Sequence, residues 1–328
     1  MNYNNWIPNF QSKFKNELIN YIEYKRANGC KYGQSICNML LRLDNFFLTL
    51  NDSDLIINQE IVDKWMQTCD LKNKQVTKGR YFSTINCFCE YLRTLNYDDI
   101  IRPQPYKFIW HSNFIPYIFS SKEITRMIAI LKDTLDENNI DSYSLYILIC
   151  LYYCCGLRRM EALNLKLEDY NSVDKIITIK NGKNNTSRLI PINNYLNNLL
   201  KKYLTIRNST SDYIFVDKYQ RKFGEGKLYN RFKKLLNDAN IPLTYEGKTQ
   251  RLHDLRHTFA VHSLNQMEEK GFDLYTSLPI LSTYLGHKSI VETEYYLKLI
   301  KSENENILNK SKDYTKNLYG KKDKFYEE

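Results

Sequence analysis

The chain has 328 residues, enough for two domains, and 43% of them are hydrophobic, which excludes a disordered polymer. Lysine and arginine outnumber aspartate and glutamate to give a net charge of +10. Such a surplus suits a polyanionic partner, since basic side chains that meet phosphates release condensed counterions, although an ordinary basic protein has the same balance. The opening MNYNNWIPNF lacks the charged start and apolar core of a secretory signal. The eight cysteines show no metal-ligand spacing, so the expectation is a reduced, cytoplasmic protein that holds neither metal nor cofactor.

The first hundred residues have few glycines or prolines and carry helical apolar spacing. Ile36, Met39, Leu40 and Leu43 recur at steps of three and four, followed by Phe46, Phe47 and Leu50. Further helices are predicted from Asn58 to Thr68 and from Tyr81 to Leu95, making an all-α bundle. Between these two lie Lys72, Lys74, Lys78 and Arg80 among Asn, Gln and Thr, a mixture that suits phosphate contacts or a solvated basic loop. Two prolines in Ile101-Arg-Pro-Gln-Pro-Tyr-Lys107 predict an extended linker.

Ser120 with Glu123 three residues later predicts a capped helix start and the opening of a second, mostly helical domain. The apolar run from Tyr143 to Leu157 contains four tyrosines. It is shorter than the roughly 20 residues that a membrane span requires, and reads as a buried helix. Lys175 to Ile179 and Arg188 to Ile192 are β-branched runs around a turn-rich segment, predicting a β-hairpin with Lys183 near its tip. From Leu196 onward the pattern is helical, except for a loop from Ile241 to Thr249.

Four clusters carry chemistry. In Gly156-Leu-Arg158-Arg159-Met-Glu161 an arginine stands beside a core helix, where it needs an anionic partner. Arg158 and Glu161, one turn apart, also fit a simple surface pair. Lys183 is either an exposed turn lysine or a proton donor carried into a groove. In His253-Asp-Leu-Arg256-His257, helical spacing puts His253 and Arg256 on one face, with Leu252, Leu255 and Phe259 toward the core. A guanidinium that forks two oxygens and an imidazole that titrates near neutrality suit a phosphate, and a solvated polar face has the same spacing. Finally, Gly286 of Leu285-Gly-His287 ends an apolar helix, and Tyr296 of Thr293-Glu-Tyr295-Tyr296 lies on the next, one of 27 tyrosines.

Taken in order, G-L-R-x-x-E, a hairpin lysine, H-x-x-R, L-G-H and a tyrosine nine residues later resemble the tyrosine recombinase (phage integrase) family. The resemblance spans about residues 115–300. It implies a mainly α fold with a small antiparallel β-sheet (α+β). The domains would be a helical core-binding domain at 1–101, a linker at 102–114, a catalytic domain at 115–300 and a tail at 301–328 that either docks on a neighbouring protomer or is a disordered basic extension. The implied activity is site-specific DNA recombination through a 3′-phosphotyrosyl bond, for integration, excision or transposition of a mobile element or for Xer-like resolution. Helix is predicted almost at once, so no small domain is expected ahead of the bundle, and this favours a resemblance to Xer-like or transposon-encoded enzymes over the lambda type.

Carried over residue by residue, the resemblance implies that Arg158 and Arg256 clamp the transition-state phosphate. Lys183 would protonate the departing 5′-oxygen, His253 accept the Tyr296 proton, His287 donate to a phosphate oxygen, and Glu161 orient Arg158. Family spacing selects Arg158 over Arg159 and Tyr296 over Tyr295. The implied partners are double-stranded DNA and three further copies of the chain, with room for an accessory recombinase or directionality factor and no membrane. The alternatives are a catalytically silent DNA-binding member of the fold and a type IB topoisomerase-like or hairpin-resolving enzyme.

Overall fold

The computed structural model describes residues 6–30, 32–50, 54–69, 75–106, 115–180, 187–245, 248–287 and 289–300. The chain divides into two compact units, Met1–Phe114 and Ile115–Glu328. Among the described residues no helix is long and apolar enough to cross a membrane.

The first unit is helical: α1 (Lys15–Ala27), α2 (Gln34–Leu48), α3 (Gln59–Gln67) and α4 (Gln75–Thr94). Leu40, Leu43, Phe46 and Phe47 of the predicted stripe are buried, whereas Ile36, in the first turn of α2, is 39% exposed. Asn58 caps α3, its side chain accepting the Ile61 N–H at 3.0 Å. The core is largely aromatic. Phe14 packs on Phe47 with centroids 4.6 Å apart, and Trp65 stacks on Tyr81 while donating its indole N–H to the Tyr81 carbonyl at 2.9 Å. That hydrogen bond satisfies the one polar atom a buried tryptophan brings into a core. One expectation is corrected here. Lys78 and Arg80 do not lie in a loop, because α4 begins by Gln75. At 100° per residue the two point to nearly opposite sides of the helix. Lys72 and Lys74 lie outside the described residues.

In the second unit, helices surround one buried rod. The expected cap at Ser120 opens α5 (Ser121–Asp133): its hydroxyl accepts the Glu123 N–H, and the Glu123 carboxylate accepts the Ser120 N–H at 2.8 Å. Helix α6 (Ile140–Cys154) is buried continuously from Ile140 to Tyr152, as its unbroken apolar pattern requires. The short α7 (Arg159–Leu163) follows the left-handed Gly156.

The predicted hairpin is present as β2 (Ile176–Ile179) and β3 (Arg188–Pro191), with Ile179 opposite Arg188 and Ile176 opposite Pro191. A third strand, β1 (Tyr170–Asn171), pairs with β2 and was too short to show as periodicity. Then come α8 (Asn194–Ile206), α9 (Glu225–Asp238), a two-residue ribbon of β4 (Thr244–Tyr245) and β5 (Lys248–Thr249), α10 (Leu252–Glu269), α11 (Leu274–Leu285) and a last helix, α12, at 291–300.

Residues 207–224, expected to be helical, form turns and extended chain instead. The buried Arg207 organises them by donating to the carbonyls of Ser209, Ser211, Tyr213 and Ile214. A local pattern does not reveal one side chain serving four carbonyls of its own loop.

Candidate active site

Every recognisable site residue of the second unit that lies among the described residues converges on the C-terminal end of α11. Gly286 adopts φ +67°, a left-handed conformation open to glycine at little cost, and this ends the helix. The helix-terminal carbonyls that have no helical partner then become acceptors for cations. Arg188 donates Nε to the Tyr284 carbonyl, Arg256 donates Nη2 to the Leu285 carbonyl, and Arg158 donates Nη2 to the Gly286 carbonyl, each at 2.8 Å. Three arginines thus rest on three consecutive carbonyls.

Each guanidinium is also fixed from its other side. Arg256, 2% exposed, gives Nη1 to the Gly156 carbonyl at 2.6 Å. Its burial, reinforced by the nearby Arg158, lowers its pKa to about 10, and it remains charged at neutral pH. Arg158 gives Nη1 to Glu161 at 2.8 Å, and the Glu161 carboxylate accepts the Arg158 N–H at 2.9 Å. Arg188 grips the same carboxylate in a fork, at 3.0 and 2.7 Å. Burial on its own would raise the Glu161 carboxyl; ion pairing with Arg188 first and Arg158 second overcomes this and brings it down to about 2. Arg159 turns elsewhere, pairing with Glu225 at 2.9 Å with nearly half of its side chain exposed.

Tyr296 lies on α12 and is 3% exposed. Its hydroxyl is 3.1 Å from Nδ1 of His257. Burial raises the phenol pKa, while Arg256 and then Arg158 pull it back toward ionisation. The expectation that His253 meets this hydroxyl is therefore corrected: His257 does. His253 is one helical turn earlier on α10, and its ring meets that of His257 edge-on at 4.7 Å. A helical face holds residues both three and four apart, so H-x-x-R-H offered two histidines, and only packing against α12 selects between them.

His287 stacks on Tyr296, with centroids 6.3 Å apart, and its Nδ1 shares a hydrogen with the buried Thr293 hydroxyl at 2.8 Å. Burial comes first among the causes that lower all three imidazoles. His257 falls to about 3, with His253 and Arg251 adding to the effect, and His287 to about 4, with Arg256 and Arg158 adding. His253 keeps an exposed surface; desolvation first, then repulsion from Arg256, Arg251 and Arg158, lowers it to about 4. The histidines are neutral at pH 7, so the cleft's positive charge comes from the arginines. Such a site binds an anion and offers neutral imidazoles as proton acceptors or donors.

Of the predicted residues, Arg158, Glu161, His253, Arg256, His287 and Tyr296 are brought together here. Lys183 lies outside the described residues. Arg188, His257 and Thr293 are the site residues that the sequence reading did not single out.

The comparisons agree with this architecture. Residues 118–303 match the family model described as the phage integrase family, and the chain belongs to that family of tyrosine recombinases. An integrase/recombinase of Sinorhizobium fredii is 27% identical over 297 residues, covering 87% of this chain and 93% of that protein. The tyrosine recombinase XerA of Pyrococcus furiosus is 30% identical over 189 residues, covering 56% of this chain and 58% of that protein. Among solved structures, the XerH site-specific recombinase bound to palindromic difH substrate, a post-cleavage complex, has a TM-score of 0.62 at 20% identity. The match covers 88% of this chain and 87% of that one.

Proposed function

We propose that this recombinase cuts and rejoins duplex DNA with Tyr296 as a covalent nucleophile. The observation that carries the reading is the buried Tyr296 hydroxyl, 3.1 Å from a neutral imidazole and within the field of Arg256 and Arg158. The Tyr296 oxygen attacks the scissile phosphorus while its proton passes to His257. The phosphorus–5′-oxygen bond breaks, Lys183 supplies the proton to that oxygen, and the 3′-phosphate remains on the tyrosine. Arg158 and Arg256 neutralise the charge that gathers on the non-bridging oxygens, and His287, oriented by Thr293, donates through its other nitrogen. Attack by the freed 5′-hydroxyl of a second duplex reverses the chemistry and exchanges strands.

Within this reading, Lys72, Lys74 and Arg80 of the first unit contact DNA phosphates, Lys78 pointing to the other side of α4, and four protomers pair two sites. The complex of XerH with palindromic difH substrate and that of the Tn1549 transposon integrase with transposon right end DNA support DNA as the substrate. The test is a two-duplex exchange assay on DNA selected for binding from a random-sequence pool. Recombinant strands that vanish in Tyr296→Phe support the proposal. Plasmid relaxation without exchange would indicate a topoisomerase-like enzyme, and binding with no cleavage would indicate a silent member of the fold.

A further inference from the structure

Among the described residues, Glu161 is the one carboxylate gripped by two of the three arginines on the α11 terminus, and this poses a problem for the proposed chemistry. A guanidinium fully neutralised by its own carboxylate has little charge left for a phosphate. The three side chains Arg158, Glu161 and Arg188 together carry one net positive charge; without Arg188 the remaining pair would carry none. Arg188 also takes the better share of the carboxylate. It contacts both oxygens in a fork, whereas the Arg158 side chain reaches one. Only 8% of the Arg188 side chain and 7% of that of Glu161 are exposed, so water screens this division weakly.

The surroundings are built for the contact. A side-chain carbon at Gly286 would fall 3.0 Å from Arg188 Nη1, 3.2 Å from Cδ and 3.3 Å from Cζ, so glycine leaves the room in which the guanidinium lies. Arg188 opens β3 opposite Ile179, and in sequence it stands five residues after Lys183. It therefore links the stem of the lysine-bearing hairpin to the arginine clamp.

We propose that Arg188 is a positioning residue that takes up the charge of Glu161, so that Glu161 orients Arg158 without quenching it, and that fixes the hairpin stem against the clamp. The proposal rests on the reading of Arg158 as a phosphate ligand.

The experiment is single-turnover cleavage of a nicked suicide duplex by full-length wild type, Arg188→Gln, Arg188→Lys, and Arg188→Gln combined with Glu161→Gln. Duplex affinity and melting temperature are measured alongside. Partners that orient metal ligands typically affect activity roughly 10- to 100-fold, and by analogy a slowing of that order is expected for Arg188→Gln while its duplex Kd stays within about threefold. Arg188→Lys should recover most of the rate. The ratio of Arg188→Gln to wild-type rate should rise as pH is lowered from 8 to 5.5, because burial raises the Glu161 carboxyl once its main counter-charge is gone, and its protonation frees Arg158. In the double variant the rate should exceed that of Arg188→Gln and the pH trend should disappear.

A wild-type rate in Arg188→Gln, or a loss that is independent of pH and unrelieved by Glu161→Gln, overturns the proposal. If Arg188→Gln does not fold, the double variant, which leaves no carboxylate unpaired, decides by the same comparison with wild type: cleavage within about tenfold supports the proposal, and its absence overturns it. Failure of wild type itself to form an adduct would remove the underlying reading and this inference together. Normal wild-type cleavage with an indifferent Arg188→Gln removes only the inference.

Discussion

Replacing Gly156 by alanine would put a methyl carbon 2.5 Å from Cδ1 and 2.9 Å from Cε1 of Phe259, and 3.0 Å from Cδ2 of Leu285. Phe259 packs against Tyr284 with centroids 5.6 Å apart, so the ring has a neighbour to displace as well. Gly156 also sits at φ +58°, where an L-residue costs about 1–2 kcal/mol, and overpacking of this kind adds about 1–3 kcal/mol. The expected destabilisation is roughly 2–5 kcal/mol. In a unit of this size each kcal/mol lowers the melting temperature by about 2–4 °C, giving a fall of roughly 4 to 20 °C by calorimetry.

The same substitution should slow cleavage in whatever protein remains folded, because the Gly156 carbonyl holds Arg256 Nη1 at 2.6 Å. Gly226→Ala is the control. It lies within α9 at an ordinary φ with open space around the added carbon, and should be neutral or slightly stabilising. A Gly156→Ala protein that melts and cleaves like wild type would refute the claim that this close approach positions the second arginine.

Stability should depend on pH through the histidines. His257 titrates near 6.5 when unfolded and near 3 when folded, so below pH 6.5 the unfolded chain takes up a proton that the folded one refuses. The stabilisation is therefore complete above pH 6.5 and is lost progressively down to about 3. The melting temperature should fall as pH drops from 7.5 to 4.5, and less steeply in His257→Gln; a curve that is flat or rises over that interval contradicts the assignment. In the first unit, Arg80→Ala should weaken duplex binding at all sequences and reduce the slope of log K against log salt by about 0.9. An unchanged slope in a titration at several salt concentrations would remove Arg80 from the phosphate contacts.

Much of this site could be read locally. The Ser120–Glu123 cap, the unbroken apolar run of α6, the β-branched runs around the hairpin and the glycine that stops α11 each express their structure within one turn or one strand. Arg158, Glu161, Arg256, His287 and Tyr296 follow from spacing combined with the family resemblance.

What escaped the reading depends on contacts far apart in sequence. Arg188 is one basic residue at the start of a strand until the chain brings it to Glu161 and to the Tyr284 carbonyl, 27 and 96 residues away. His257 and His253 share a face of α10, and the choice between them is made by a helix that begins more than thirty residues later. The role of α11 was hidden for a different reason: its contribution is made by backbone carbonyls, which carry no sequence signature. A signal for His257 did exist in the four-residue step from His253, the spacing of a helical pair.

The most direct test of the central claim is to trap the covalent intermediate on a nicked suicide duplex and locate the attachment by peptide mapping. The account predicts a 3′-phosphotyrosyl bond on the peptide containing Tyr296, absent in Tyr296→Phe and retained in Tyr295→Phe. An adduct on Tyr295, or none on DNA that the protein demonstrably binds, would contradict it.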